Sequence, residues 1–138
     1  MSRSKDKGTA AEREVVKYLK DYWPAAERRA LSGNKDKGDV AGIPGVVVEV
    51  KAAERQQLAA WKRETLAEMG NAEADLCLLV VKRKYKPVAE WDTYTPCDQL
   101  AGFTEEEAGE WVRMDLRFAA MILQHTLSSP FSPITGSS

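Results

Sequence analysis

The run VVVEVK at residues 46–51 constrains this chain more than any other segment. It follows the turn sequence GIPG and is rich in β-branched residues, which favours a buried strand. Because side chains alternate across a strand, Glu49 and Lys51 share one face, and Val50 points to the other, where the core is expected. Charged side chains are costly to bury unless they are paired or bind a metal. The strand therefore predicts either a simple Glu–Lys ion pair near its end or a functional site.

Periodicity along the rest of the chain predicts a mixed α/β sheet. Helical spacing predicts a first helix over 9–23, with Thr9 as its N-cap and Pro24 after its end. Further helices are predicted over 53–69, from Thr104, and over 116–127. Further strands are predicted at 75–82 and, as an edge strand, at 88–95. This order predicts an α/β fold with a central mixed sheet flanked by helices.

A single domain over 1–127 accounts for these elements. Its core is expected at about 7–95 and its C-terminal helices at about 104–127. The remaining segment, 128–138, is rich in Ser, Pro and Gly and is expected to be a flexible tail.

The composition is that of a soluble globular protein. The 138 residues are 43% hydrophobic and 30% charged, and no apolar stretch approaches the roughly 20 residues that span a bilayer. No apolar segment follows the N-terminal charges, so the cytoplasm is the expected location. Cys77 is interpreted as a buried side chain and Cys97 as a loop thiol, with a disulfide left open. The single histidine, His125, argues against a His-rich zinc site.

Charge is distributed unevenly, although the formal net charge is only −1. Residues 1–63 carry 14 Lys and Arg against 9 Asp and Glu, a net of +5, whereas residues 64–138 carry 6 against 12, a net of −6. A phosphate backbone would prefer the first half, which also contains the charged strand.

A third charged residue, Asp39, follows a loop rich in Gly, Asn, Asp and Lys. One interpretation is that Asp39 caps a turn while Glu49 and Lys51 form an ion pair. The other is that Asp39 and Glu49 are oxygen ligands of Mg²⁺, which is usually held by one or two carboxylates together with substrate phosphate. Lys51 would then orient or help to deprotonate the attacking water and stabilise charge at phosphorus. The spacing alone leaves both interpretations open.

Several further segments accompany these residues in one order: KGTAAEREVV at 7–16, RRALSG at 28–33, GDVAG at 38–42 and DLCLLVVKR at 75–83. With VVVEVK, they make the chain resemble the PD-(D/E)xK nuclease superfamily, and within it the archaeal-type Holliday junction resolvases and their phage relatives. The resemblance implies a restriction-endonuclease-like core that cleaves DNA with Mg²⁺, or with Mn²⁺. The chain departs from the family pattern at Gly38, where a Pro usually precedes the acid.

The resemblance also assigns site residues. Asp39, Glu49 and Lys51 match the central acid and the E-x-K pair of the family. Glu12 matches a first-helix acid that contributes to the metal site. A second interpretation of Glu12 comes from its own spacing, because it lies three residues after Thr9 and could instead close a capping box.

Cationic residues complete the predicted DNA-binding set. Arg13 matches a family position that supports cleavage, and the arginine before the Ser-Gly loop is either Arg28 or Arg29, with Arg29 favoured. Lysines that flank the site are also assigned to phosphate contacts: Lys5, Lys7, Lys35 and Lys37. A second cluster after the strand at 75–82 could act in the same way: Lys82, Arg83, Lys84 and Lys86.

The expected function is a metal-dependent endonuclease that makes paired nicks in four-way DNA junctions. Two nicks on opposite strands require two sites related by a twofold axis, so a homodimer is expected. The alternatives are a nuclease for other branched or linear DNA ends, a DNA-binding protein that does not cleave, and an interaction protein without a DNA role.

Overall fold

A computed structural model describes residues 3–29, 36–100 and 109–128, with side chains over 7–29, 36–100 and 109–127. Within these ranges the helices are α1 (Arg3–Leu19), α2 (Leu58–Asn71) and α3 (Leu116–Ser128). The strands are β1 (Glu27–Arg28), β2 (Val40–Ala41), β3 (Val46–Lys51), β4 (Leu76–Val81), β5 (Asp92–Pro96) and β6 (Trp111–Asp115). The predicted class is confirmed: a single α/β domain in which a mixed four-stranded sheet packs against three helices.

The main sheet has the strand order β3-β4-β5-β6. β3 and β4 are parallel and are connected through α2, whereas the β4–β5 and β5–β6 pairs are antiparallel. β1 and β2 form a separate antiparallel pair in which Arg28 faces Val40. Parallel strands need a helical crossover, which explains why α2 returns the chain across the sheet between β3 and β4.

The two faces of the sheet are covered by different helices. Val46, Val48 and Val50 contribute to the larger core, which also contains buried side chains of α1 and α3. On the opposite face Leu79 and Val81 of β4 pack with Trp61 of α2. The predicted alternation along β3 is therefore confirmed, because Val50 lies in the larger core and Glu49 lies on the face that α2 covers.

The first helix differs from its prediction at both ends. α1 begins at Arg3 and continues through Thr9, so Thr9 is in the helix interior and is not an N-cap. At its other end α1 stops at Leu19, and the N–H groups of Tyr22 and Trp23 both donate to the Leu19 carbonyl in the following turn. The bond from Tyr22 spans three residues and so forms a tighter turn than the α-helix, which ends the helix before Pro24.

The predicted edge strand is wrong in position and in role. Val88–Glu90 is a short 3₁₀ turn, and β5 is an interior strand because β6 pairs with its outer side. β6 is only half-buried and gives a weak periodic signal, which is why the sequence did not predict it. The helix predicted from Thr104 falls largely on 101–108, outside the described residues, whereas the helix predicted at 116–127 corresponds to α3.

Candidate active site

Glu49 and Lys51 lie at the C-terminal end of β3, on the face covered by α2. Glu49 is only 4% exposed, and its Oε2 lies 3.1 Å from Nζ of Lys51. A second carboxylate oxygen, Oε2 of Glu64 on α2, lies 3.3 Å from the same ammonium. Burial opposes the charge on Lys51, but these two carboxylates outweigh it, so the pKa of Lys51 is raised. The predicted ion pair is present, and it is part of a larger charged cluster.

Asp39 is attached to the same strand by its backbone and its side chain. Its N–H donates to the Val48 carbonyl at 2.9 Å, and its Oδ2 accepts a 2.7 Å hydrogen bond from the N–H of Val50. These bonds hold the carboxyl group beside Glu49, which lies between the two bonded strand residues. The predicted turn-capping role falls instead to Asp36, whose Oδ1 accepts a hydrogen bond from the N–H of Gly38.

Gly38 explains the departure from the family pattern. Its φ is +94°, and a Cβ at this position would lie 2.9 Å from Cγ1 of Val47. Proline is restricted to φ near −65°, so it cannot adopt this conformation. The close approach of the chain to β3 therefore requires glycine immediately before Asp39.

Glu12 reaches the same region from α1. Its Oε1 lies 3.2 Å from both Nε and Nη2 of Arg28 on β1. The capping-box interpretation of Glu12 is wrong, because α1 begins nine residues earlier, at Arg3, and Thr9 is interior. Glu12, Asp39, Glu49 and Lys51 all line one open cavity of about 550 Å³, together with Lys7, Gly8, Asp36, Val50, Ala52, Ala53 and Glu54. The structure thus brings the four predicted catalytic residues together.

Two further acids complete the site and were not predicted. Carboxylate oxygens of Asp36, Glu49 and Glu68 lie within 4.8 Å of one another. Asp36 is held near the end of α2, because its carbonyl accepts a hydrogen bond from the Asn71 amide. Glu68 is 4% exposed although it is an acid on a helix. Glu68 is therefore buried next to Glu49 of β3.

A sequence signal for Glu68 does exist. Trp61, Thr65 and Glu68 are the buried residues of α2, at spacings of four and three that define one helix face. The sequence alone predicts an apolar face formed by Leu58, Trp61, Leu66 and Met69, but Leu66 is 42% exposed. A face defined by aliphatic residues does not include Glu68, because the buried face of α2 contains Thr65 and Glu68 beside Trp61.

Burial raises the pKa of four acids at this site. It raises the pKa of Asp39 to about 8, with further increases from the hydrogen bond and charge of Glu49. It raises the pKa of Glu49 to about 7 and that of Glu68 to about 8. Burial, followed by the charge of Asp39, also raises the pKa of Glu12. Carboxyls this close together and this buried hold protons unless a cation replaces them.

The donor set fits a hard divalent cation. Oε1 of Glu49 and Oε1 of Glu68 are buried and accept no hydrogen bond from any described residue. Buried polar atoms rarely remain without a partner, and carboxylate oxygens are the ligands that Mg²⁺ and Mn²⁺ prefer. Asp39 and Glu49 can act as predicted ligands, and Asp36 and Glu68 offer additional oxygens. Glu12 lines the same cavity, with one oxygen bonded to Arg28.

The predicted DNA-binding cations have varied surroundings. Lys7 lines the cavity and its Nζ lies 3.3 Å from Oε1 of Glu54, whereas Arg13 and Lys37 are exposed. Arg29, the favoured match to the family arginine, has a buried Nε with no hydrogen-bond partner among the described residues. Two predicted contacts cannot be placed, because they lie outside the described residues or side chains: Lys35 and the side chain of Lys5.

Both cysteines are buried free thiols. Cys77 lies in β4, as predicted for a buried side chain, and Cys97 begins a short 3₁₀ turn after β5. Burial raises the pKa of the Cys77 thiol to about 12. Neither thiol lines the cavity that contains the acids.

Comparisons with protein families, with curated proteins and with solved structures found no match to this chain. Over the described ranges, none of the helices is both long enough and apolar enough to cross a membrane.

Proposed function

We propose that this chain is a metal-dependent endonuclease that hydrolyses phosphodiester bonds in DNA, with four-way junctions as its substrate. The observation that carries the proposal is the convergence of Asp39, Glu49 and Lys51 on one cavity, with Glu12 on its wall and buried Glu68 against Glu49. Several carboxyls and the Lys51 ammonium around an open cavity are a composition suited to phosphoryl transfer. The resemblance of the motifs to Holliday junction resolvases supports the choice of DNA and of branched substrates.

Asp39 and Glu49 would hold the cation, with Asp36 or Glu68 able to supply a further oxygen. Mg²⁺ or Mn²⁺ at this position would lower the pKa of a bound water and offset negative charge on the phosphate. The unpartnered buried oxygens of Glu49 and Glu68 support this assignment. The protein's part is to keep these carboxylates in place, which the backbone bonds of Asp39 to β3 achieve.

Lys51 supplies positive charge where the reaction builds negative charge. Its ammonium has carboxylates at 3.1 and 3.3 Å, surroundings that favour the protonated form. Stabilisation of charge at phosphorus therefore suits Lys51 better than deprotonation of water. In the hydrolysis the water oxygen bonds to phosphorus and the bond from phosphorus to O3′ breaks. The O3′ atom takes up a proton, which leaves a ligatable nick with a 5′-phosphate and a 3′-hydroxyl.

Resolution of a four-way junction requires two such nicks on opposite strands. The described residues of one chain form a single such site at Asp39 and Glu49, so we propose a homodimer whose twofold axis matches that of the junction. Part of the apolar surface of α3 is exposed and is a candidate interface, since Phe118 and Met121 are large hydrophobic side chains at the surface.

The test is a gel assay of purified protein with a labelled synthetic four-way junction and the matching linear duplex, in Mg²⁺ and in EDTA. We expect paired cuts in the junction only, absent in EDTA and absent in Asp39→Asn. Glu54→Gln is the matched control, because it neutralises an exposed carboxylate on the rim of the same cavity. Cutting of both substrates would remove the junction preference. A shifted junction band without cutting in Mg²⁺ or Mn²⁺ would favour a DNA-binding protein instead.

A further inference from the structure

A tight turn follows β4 directly beside the candidate active site. The N–H of Lys82 donates a 2.9 Å hydrogen bond to the carbonyl of Lys51, so the turn starts at the end of the catalytic strand. The N–H of Lys86 closes the turn by donating to the Arg83 carbonyl at 3.2 Å. Nε1 of Trp91 donates to the Lys86 carbonyl at 3.0 Å. Because Trp91 is fully buried, this bond attaches the turn to the core.

Tyr85 lies at the tip of this turn and is 92% exposed. Its φ is +65°, a region that favours glycine or asparagine and disfavours bulky side chains. The only ring contact that the structure shows for it, among the described residues, is Nζ of Lys84 at 5.4 Å from the ring centroid. The Tyr85 ring makes almost no packing contacts that could offset this backbone strain, so the stability of the fold does not explain why an aromatic residue occupies the position. The ring is suited to contact with a partner.

The surroundings of Tyr85 are strongly cationic. All residues from 82 to 87 are exposed, and the segment contains no acid. Four of its six residues are cations: Lys82, Arg83, Lys84 and Lys86. An exposed aromatic ring among cations has the composition that proteins use to bind single-stranded or unpaired nucleic acid.

The turn and the candidate active site are parts of one continuous surface. A cavity of about 130 Å³ is lined by Lys82 and Lys84 of the turn and by Lys7, Ala52, Ala53 and Glu54. The last four residues also line the larger cavity that contains the acids. A nucleic acid bound at the acids would therefore extend along the base of the turn.

We propose that the turn at 82–87 is a DNA-binding element in which the cations contact phosphates and Tyr85 stacks on an unpaired base beside the cleaved bond. The inference rests on the proposed function for the identity of the ligand as DNA, but not on cleavage. A branch point offers such a base at low cost, since its pairing and stacking are already disturbed. In a fully paired duplex the ring has no exposed base face, so only the cations contribute there.

The experiment measures stacking directly, in EDTA. The probe is a four-way junction with one unpaired 2-aminopurine at the branch point, whose fluorescence is quenched when an aromatic ring stacks on the base. We expect the wild-type protein and Tyr85→Phe to quench it. Tyr85→Ala should lose the quenching and bind this junction about tenfold more weakly, the effect of losing one base–aromatic stack. Its binding to the fully paired duplex should change by less than about twofold.

Two further variants separate binding from folding and from charge. Tyr85→Asn accepts a positive φ, so it should lose the quenching while its melting temperature is unchanged or higher. Lys84→Ala should lower the slope of log Kd against log salt concentration by about 1 for both DNAs. Lys17→Ala, an exposed lysine that lines neither cavity, should leave this slope unchanged.

Two results would overturn the inference. One is undiminished quenching and affinity in Tyr85→Ala. The other is Tyr85-dependent binding to phosphatidylserine vesicles with no effect on DNA, which would make the turn a membrane contact. If the wild-type protein quenches the probe through Tyr85 but does not cut DNA, the nuclease proposal is refuted and the present inference stands. If the protein cuts junctions but Tyr85 substitutions change neither quenching nor affinity, the present inference is refuted and the nuclease proposal stands.

Discussion

The N–H of Val50 donates a 2.7 Å hydrogen bond to Oδ2 of Asp39, across eleven positions of sequence. The N–H of Asp39 returns a 2.9 Å bond to the carbonyl of Val48, so the two residues that flank Glu49 in β3 both bind Asp39. The separation of the two central acids is therefore determined by strand backbone rather than by a loop. Such preorganisation would keep the two proposed metal ligands in place before a substrate binds.

Asp39→Asn and Asp39→Ala should differ in stability although both remove cleavage. Asparagine keeps an oxygen that can accept from Val50 and cannot ionise among the neighbouring acids, so the metal-free melting temperature should be equal to or higher than that of the wild type. Alanine leaves the Val50 N–H without its acceptor, which costs about 1 kcal/mol or more. Thermal unfolding in EDTA measures the difference. An asparagine variant less stable than the alanine variant would show that the hydrogen bond from Val50 does not determine how Asp39 affects stability.

Lys51→Ala should reduce the single-turnover rate of junction cleavage by about 10²-fold, the scale of losing one positioned charge at the reacting centre. Junction binding in EDTA should change little, because the exposed cations that we propose to contact phosphates remain. Glu64→Gln is the matched comparison, since it removes the other partner of Lys51 and should change the rate by only a few-fold. A rate for Lys51→Ala within a few-fold of the wild type would remove Lys51 from the mechanism.

Glu68→Gln should weaken the binding of Mn²⁺ by about tenfold, the lower end of the effect of losing a group that contacts metal ligands. Its buried Oε1 has no hydrogen-bond partner among the described residues, and it lies next to Glu49 and Asp36. Titration followed by electron paramagnetic resonance measures the free Mn²⁺ without any need for activity. The control is Glu64→Gln, one helical turn earlier on α2 and exposed. Equal Mn²⁺ affinity in the two variants would show that Glu68 does not contact the cation.

The metal-free protein should lose stability as the pH rises from about 5 to 9. The pKa values of Asp39, Glu49 and Glu68 in the folded protein are raised to about 8, 7 and 8, above the values near 4 of an unfolded chain. Protons therefore bind the folded state more tightly, and this stabilisation is full below pH 4 and lost as the pH passes through 7 and 8. Melting temperatures in EDTA across this range measure the decline.

If Mg²⁺ is the cofactor, it should reduce that decline, because it would bind the ionised carboxylates of the folded state and replace their protons. The Asp39→Asn variant should also show a shallower decline, since one of the three titrating acids is gone. A melting temperature that increases between pH 6 and 8.5 in EDTA would contradict the raised pKa values.

Gly38→Pro should fail to fold or should unfold at a much lower temperature, even though it restores the usual residue of the family pattern. Proline cannot adopt the φ of +94° at this position. Gly70→Ala is the control, because a Cβ there meets no atom within 4 Å and alanine favours the helix by up to about 1 kcal/mol. Circular dichroism during thermal unfolding compares the variants. Normal stability of Gly38→Pro would show that the chain around Asp39 can adopt a different path.

The strands β5 and β6 show which features of the sheet could not be predicted from local sequence patterns. The strands β3 and β4 and the helix between them were predictable, because both strands are apolar runs with clear boundaries. The interior position of β5 was not, because it depends on pairing with β6, whose residues are only half-buried and carry a weak alternation. Whether a strand lies at an edge is a property of its partner, and no local pattern encodes it.

That Glu49 and Lys51 share a face opposite Val50 followed from the local sequence, since a strand alternates its side chains whatever surrounds it. The motif that pointed to Asp39 and Glu12 was also visible there. In contrast, the packing of α2 on this face, which brings buried Glu68 and exposed Glu64 to the pair, could be seen only in the folded chain, since these acids are distant in sequence. The same holds for Glu12, whose spacing also suited a helix cap. Its position in the cavity depends on how α1 packs on β3. The spacing of residues within one helix does not encode packing between distant segments.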